Sequence, residues 1–173
     1  YIWELPFGSG RRYLNQGGAV NHVLGGWQLS GIVSLQTGFP ISVLSSNDWS
    51  NTGSTTPRPD RTCTGNGAGT VDKFFDTSCF TSEVLQADFN AGTPRFGDSG
   101  RNILDGPGYA NVDLAFLKDF KMGERFTLQF RGEFFNLFNR PNFNAPNVRV
   151  GNPNIGKIGG AQDPRDVQLA ARE

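Results

Sequence analysis

The sequence predicts an all-β protein of antiparallel strands, of the kind that cross a membrane as a β-barrel. The first observation is that apolar and polar side chains alternate with period two along several segments, which gives each segment one apolar and one polar face. The second is length. The best arms run about ten to thirteen residues, whereas soluble strands usually have about five or six and tilted membrane strands need roughly nine to eleven. The third is that the polar face carries charged side chains in mid-strand.

The alternation is clearest in two arms, at about residues 109–121 and 125–138, which we predict to form a hairpin. Residues 121–124 connect them and contain Gly123, as tight hairpins require. In a membrane barrel the apolar face contacts lipid and the polar face lines an aqueous lumen. The predicted lipid-facing residues are Val112, Leu114, Phe116, Phe126, Leu128, Phe130 and Phe134. The predicted lumen-facing polar residues are Asp113, Gln129, Arg131 and Glu133.

A soluble β-sandwich is the alternative, with the aromatic face in its core and the polar face in water. Mean hydropathy is −0.40, and no apolar run approaches the roughly 18 to 20 residues of a membrane helix. Neither observation separates the alternatives, because alternating barrel strands average out in a hydropathy window. The formal net charge is zero and there is no basic block, which argues against nucleic acid as a partner.

Further strands are predicted at about 1–7, 27–44 and 165–172, with a bulge or bend in the second of these at Gly38 and Pro40. The segments 45–108 and 139–164 have the composition of loops, being rich in serine, threonine, asparagine, glycine and proline. A connection as long as the first is uncommon and points to function. Outer-membrane barrels have short periplasmic turns and long extracellular loops, so we expect both long segments to be extracellular.

No catalytic or metal site is predicted, and we expect a protein that is not an enzyme and carries no cofactor. His22 is the only histidine and has no nucleophile motif nearby. Residues 151–158 approach a phosphate-binding loop, but Ile158 stands where that loop needs a serine or threonine. Cys63 and Cys79 are a candidate disulfide, which would close a loop of about 15 residues and stabilise it by roughly 3 kcal/mol. Two free thiols are the alternative.

Several phrases resemble the carboxy-terminal part of TonB-dependent outer-membrane receptors, in the subgroup with an amino-terminal carboxypeptidase-regulatory-like domain. The phrases follow the family order and span nearly the whole chain: YIWELPFG at 1–8, GGWQLSGI at 25–32, GFP at 38–40, GRN at 100–102, NVDL at 111–114 and QFRGEFFNLFN at 129–139. The resemblance implies that residues 1–173 are the last four to five strands of a 22-stranded barrel in the outer membrane of a Gram-negative cell.

The resemblance also implies partners and a function. The implied partners are outer-membrane lipid, the rest of the barrel with its plug, the TonB complex acting through that plug, and a small-molecule, glycan or peptide ligand. The candidate ligand-binding region is the extracellular loop 45–108. The chain contains neither plug nor TonB box, and it ends at Glu173 where the family usually continues to a terminal aromatic residue. A secreted or surface β-sandwich adhesin is the alternative function, and a non-transporting barrel adhesin is another.

Overall fold

A computed structural model describes residues 1–15, 18–122 and 126–172. Within them the chain forms two compact units, which we call the strand unit (the described parts of 1–35, 110–141 and 163–173) and the loop unit (36–109 and 142–162). The elements in chain order are β1 (Ile2–Glu4), α1 (Ala19–Leu24), β2 (Trp27–Gln36), β3 (Pro40–Ile41), β4 (Leu44–Ser45), β5 (Asp60–Arg61), a 3-10 helix (Thr77–Cys79), β6 (Phe80–Thr81), α2 (Glu83–Asn90), β7 (Leu104–Asp105), β8 (Tyr109–Met122), β9 (Phe126–Phe135), β10 (Arg149–Val150) and β11 (Asp166–Arg172).

The strand unit is built on a five-stranded sheet in the order β1-β2-β8-β9-β11. The β1–β2, β8–β9 and β9–β11 pairs are antiparallel. The spatial order of the five strands is therefore the same as their order along the chain. This is the up-and-down arrangement of a barrel wall. In the part of the chain that the structure describes, no helix is long and apolar enough to cross a bilayer.

The strand register places the predicted apolar residues together on one face. Leu114 lies opposite Phe134, and Phe116 lies opposite Gly132. Directly opposed residues point to the same side of a sheet, and side chains alternate along each strand. The rings of Phe116 and Phe134 meet edge to face with their centroids 5.8 Å apart. Strand β11 extends this face with Val167 and other apolar residues, because Val167 lies opposite Phe134.

The predicted polar residues share the other face. Arg131 lies opposite Leu117, and Glu133 lies opposite Ala115. The Arg131 guanidinium forms an ion pair with Glu133 at 2.5 Å. The Gln129 amide donates a hydrogen bond of 2.9 Å to the Asp119 carboxylate. The grouping of the residues into two faces is thus the one the sequence predicts, whereas the medium that each face contacts stays a prediction.

Lys118 is an exception on the apolar face, where it lies opposite Phe130. Its side chain is buried, and its ammonium group donates a hydrogen bond to the carbonyl oxygen of Gly25. The ammonium nitrogen lies 5.4 Å from the ring centroid of Trp27 and 4.8 Å from that of Phe120. Ring faces attract cations, so the carbonyl and the two rings together replace much of the hydration that the lysine loses.

The predicted strand 27–44 is divided in the structure. Strand β2 ends at Gln36, and the short strands β3 and β4 pair within the loop unit instead. Two features cause the division. Pro40 has no N–H to donate to a ladder, and Gly38 approaches Gly106 so closely that a Cβ at position 38 would lie 1.8 Å from the Gly106 oxygen. The bend predicted at these residues is therefore a change of sheet.

Two other predicted strands are shorter than expected. The predicted strand 1–7 forms a strand only over Ile2–Glu4, because Pro6 follows and Gly8 takes a φ of 113°. The predicted strand 125–138 ends at Phe135, because Asn136 adopts a left-handed φ of 50° and its amide donates to the Asp113 carboxylate at 2.9 Å. Residue 125 and residues 123–124 of the predicted turn lie outside the described residues.

The loop unit has a hydrophobic core of its own, which the loop composition of 45–108 did not predict. Its buried residues are Val43, Phe75, Cys79, Phe80 and Leu104, and the rings of Phe75 and Phe80 meet edge to face at 5.9 Å. Residues 71–76 contain bends and no helix, and a 3-10 helix follows at Thr77–Cys79. This small core helps to keep so polar a segment ordered, since a buried aromatic side chain removes a large apolar area from water.

The two predicted loops, 45–108 and 139–164, pack together in this unit. Strand β4 pairs in parallel with β10, so Leu44 lies beside Arg149. The Phe74 amide donates to the Gly156 carbonyl at 2.9 Å, and the Ile158 amide donates to the Val71 carbonyl at 2.8 Å. These backbone bonds join segments that are far apart in sequence into one structure.

Candidate ligand-binding cavity

The loop unit contains a cavity of about 620 Å³. Small-molecule pockets usually measure about 300–1,000 Å³ and combine an apolar lining with a few placed polar groups. The apolar lining here includes Ile41, Leu44, Leu85 and Val148. Leu85 belongs to α2 and Val148 to the segment before β10, so both predicted loops contribute to the walls. The cavity is therefore a property of the whole loop unit.

A tight turn around Asp48 forms one wall. The Asp48 carboxylate accepts hydrogen bonds from the amides of Ser50, Thr52 and Ser54 at 3.1, 2.9 and 3.1 Å, and from the Ser50 hydroxyl. The Ser50 hydroxyl bond is the largest cause that lowers the pKa of Asp48, and the amides add to it. Since Asp48 is saturated by its own turn, it presents no free acceptor, while Ser50 and Ser54 line the cavity.

Arg95 lies at the cavity with its charge already neutralised. Its guanidinium donates to both oxygens of Asp60 at 2.9 and 2.7 Å and to Asp88 at 2.7 Å. The Arg95 hydrogen bonds are the main cause that lowers the pKa of Asp60, and both carboxylates raise the pKa of Arg95. Because Asp60 lies on β5 and Asp88 on α2, this arginine ties the helix to the strand.

Arg58 and Arg101 also line the cavity, and both are exposed. Within the described residues neither guanidinium makes an ion pair or a hydrogen bond to the protein. The charged residues of the described lining are these two and Arg95, all arginines. The cavity therefore carries two positive groups whose charge is uncompensated.

Aromatic side chains contribute a further part of the lining. Trp49 is half-buried and packs edge to face on Phe89 of α2, with ring centroids 5.7 Å apart. Phe96 is 69% exposed although it lines the cavity. Beside its arginines the cavity thus has the ring of Trp49, which is fixed by packing on Phe89, and the ring of Phe96, which is largely exposed to solvent.

The glycine-rich segment 151–158 is a structural turn. The Gly156 amide donates to the Asn147 carbonyl at 2.7 Å, and the Lys157 amide donates to the Asn154 carbonyl at 3.1 Å. No helix begins within these described residues, and the amides that would cradle a phosphate are used inside the protein. The described residues also contain no group of three or more histidine, cysteine or carboxylate side chains able to hold a metal ion.

Cys63 and Cys79 form a disulfide, with their Cα atoms 5.0 Å apart. The Thr62 amide donates to the Cys79 carbonyl at 2.9 Å beside it, and Cys79 is part of the buried core. The bond therefore attaches the end of β5 to the core of the loop unit. The covalent bond stabilises the loop unit because it lowers the conformational entropy of the unfolded chain.

Reducing this disulfide should destabilise the loop unit by about 3 kcal/mol, because the sequence separation of 16 residues sets the chain entropy regained on unfolding. Amide hydrogen exchange with and without a reductant measures the change in residues 60–81. The strands of the strand unit, which contain neither cysteine, serve as the internal control. Equal exchange in residues 60–81 under both conditions would contradict the expectation.

The sequence placed the candidate site in 45–108 and identified only part of it. Ile41, Ser42, Leu44, Ala145, Pro146 and Val148 also line the cavity, and the fold alone brings them there. Helix α2 was missed, although Ser82 followed by Glu83 is the start signal of a helix. No sequence signal distinguishes Arg58 and Arg101 from other arginines, because their role depends on which carboxylates lie nearby.

The buried apolar side chains of the described residues all belong to the loop unit. On the apolar face of the five-stranded sheet Phe126 is 56% and Leu169 69% exposed, while Phe116 and Phe134 at its centre are half-buried among their neighbours. An open apolar face on one side and a charged face on the other are typical of a barrel wall in lipid, and they argue against a sandwich. The sheet thus has the features expected of the wall of an outer-membrane β-barrel.

The comparison with known families gives the same result. The model of the family described as outer membrane beta barrel domain matches residues 1–168, and the chain belongs to this family. The protein is therefore located in the outer membrane, in a lipid environment, and the sandwich alternative is excluded. The five strands of the sheet do not close a barrel by themselves. Neither a search of curated proteins nor a search of solved structures found a match.

Proposed function

We propose that this chain is part of a TonB-dependent receptor that captures a ligand at the cell surface and imports it across the outer membrane. The observation that carries the proposal is the run of receptor-like phrases at 1–8, 25–32 and 129–139, in family order on a chain of the barrel family. The loop unit supplies what capture requires, a cavity of about 620 Å³ with two uncompensated arginines.

The two units divide the work in this proposal. The apolar face of the sheet holds the chain in lipid, and the face with Asp113, Gln129, Arg131 and Glu133 lines the lumen. The loop unit binds the ligand outside the membrane. The plug of the complete receptor blocks the lumen until the TonB complex acts on it. We propose no catalytic role and no cofactor for this chain.

A surface adhesin of the same barrel type is the second candidate. The loop unit supports this second function, because an ordered domain with its own core can bind a partner at the cell surface without importing that partner. An adhesin needs no energy from the inner membrane. The two functions therefore differ in whether a bound ligand enters the cell.

The test uses the full-length protein in the outer membrane of a Gram-negative host, with and without a functional TonB. Radiolabelled short saccharides, neutral and acidic, are the probes. A receptor should retain label inside the cells only when TonB is functional, whereas an adhesin should hold the same surface label in both hosts. Uptake that continues unchanged without TonB, or surface binding that never becomes uptake, would overturn the proposal.

A further inference from the structure

We infer that the cavity of the loop unit is a binding site for a short acidic saccharide, one whose sugar rings carry carboxylates. The inference rests on the proposed function in one respect, that this protein captures a ligand outside the membrane. Three properties of the lining carry it: the charge at Arg58 and Arg101, the aromatic rings, and the side-chain hydroxyls.

The charge selects an anion. Arg95 is neutralised by Asp60 and Asp88, but Arg58 and Arg101 have no carboxylate partner in the described residues. The nearby Asp48 is occupied by the amides and hydroxyl of its own turn. A guanidinium binds a carboxylate with two parallel hydrogen bonds, and two such groups fit a ligand with two carboxylates.

The charge is local to the cavity. The lining holds arginines and no carboxylate, although acidic residues such as Asp72, Glu83 and Asp105 lie elsewhere in the loop unit. Attraction of an anion therefore depends on the cavity itself and acts over about one Debye length, roughly 8 Å at physiological salt. Added salt should weaken binding of an acidic ligand and leave a neutral one unaffected.

The remaining lining suits a hydroxylated ring. Ser42, Ser50, Ser54 and Thr56 line the cavity. The Ser42 and Ser50 hydroxyls donate to Asn102 and Asp48, whereas those of Ser54 and Thr56 donate to no described group and can do so to a ligand. Phe96 exposes 69% of its surface there, so its ring is available to pack on the C–H face of a sugar. A compact inorganic anion would use the arginines but leave the Phe96 ring uncovered.

Size narrows the ligand further. A cavity of about 620 Å³ lies in the middle of the usual range for small-molecule pockets, and it accommodates a few sugar rings. The apolar residues Leu44, Leu85 and Val148 form another part of the lining, on which the apolar faces of sugar rings can pack. The geometry therefore favours a di- or trisaccharide over a long chain.

The test is calorimetric titration of the purified full-length protein in detergent. The probes are digalacturonate, its neutral counterpart galactobiose, and inorganic phosphate. Digalacturonate should bind at least about tenfold more tightly than either of the others, a difference of about 1.4 kcal/mol. Arg58→Gln and Arg101→Gln should each weaken digalacturonate binding about tenfold, and raised salt should weaken it in the wild type.

Matched variants separate charge at the cavity from charge in general. Lys157→Gln removes one positive charge from an exposed position of the same unit outside the lining, and it should leave binding unchanged. Phe96→Ala should weaken digalacturonate binding severalfold, because it removes the surface for the sugar ring. Normal amounts of each variant in the outer membrane, with the Cys63–Cys79 bond intact, report correct folding.

Several results would overturn the inference: equal binding of galactobiose and digalacturonate, stronger binding of phosphate, no binding of digalacturonate, or full binding by the two arginine variants. None of them depends on TonB, because titration measures the purified protein. Conversely, digalacturonate that binds with the expected variant pattern but is never imported would support the site while contradicting the transport function.

Discussion

Replacing Phe116 with arginine should destabilise the folded protein in the bilayer by about 2–4 kcal/mol. Phe116 lies near the middle of β8 on the apolar face, where its ring meets that of Phe134 at 5.8 Å. A guanidinium at this position would meet hydrocarbon without a carboxylate partner, and lysine or arginine at the bilayer midplane carries this penalty. Urea unfolding of the full-length protein refolded in lipid vesicles measures the loss, and the amount assembled in the outer membrane gives a second readout.

Ala115→Arg is the matched control, because Ala115 is the neighbouring residue in the same strand and points to the opposite face. It lies opposite Glu133, so a new arginine gains an acidic neighbour on the face that we predict to line an aqueous lumen. We expect a change within about 0.5 kcal/mol, as for substitutions at solvated positions. Comparable losses at positions 115 and 116 would refute the assignment of one face to lipid and the other to water.

Phe75→Ala should destabilise the loop unit by about 3–5 kcal/mol, as truncation of a buried phenylalanine usually does. Phe75 is 2% exposed and packs on Phe80 at 5.9 Å in the small core of that unit. Few other side chains can fill the space that the ring leaves. Hydrogen exchange by mass spectrometry on the full-length protein should show faster exchange across 43–104 and unchanged exchange in β8 and β9.

Phe96→Ala removes the same side chain from an exposed site of the same unit, since Phe96 is 69% exposed. Its effect on exchange should be small, within about 0.5 kcal/mol. If Phe75→Ala left the exchange of 43–104 as slow as in the wild type, the loop unit would not depend on this core. Loss of the sheet together with the loop unit would show that the two units fold as one.

The alternation in β8 and β9 could be read from the sequence because the strand period is a local property. Every second residue points to the same side whatever the rest of the chain does, so Leu114, Phe116 and Phe134 could be assigned to one face directly. Lys118 follows the same period and joins that face. A lysine can be buried on that face only because its ammonium group contacts the Gly25 carbonyl and the Trp27 ring. No local sequence pattern predicts these two contacts.

The loop unit could be predicted only in outline. Its core residues Phe75, Phe80 and Leu104 are scattered among polar residues with no helical or strand period, so they indicated a loop. The same sparseness hid the pairing of β4 with β10, because a two-residue strand has no pattern to detect. The sequence predicted a bend at Pro40, where the segment 27–44 is divided. It did not predict that β3 pairs with β7.

By itself the sequence determined the fold class, the two faces of the principal strands and the resemblance to a receptor family, since all of these are carried by local order along the chain. Only the tertiary structure decided that two polar segments form one unit with a core, a disulfide and a cavity, and that Arg58 and Arg101 are left without carboxylate partners there. The physical reason is that burial and charge compensation depend on which distant residues meet, and that is fixed by packing rather than by spacing.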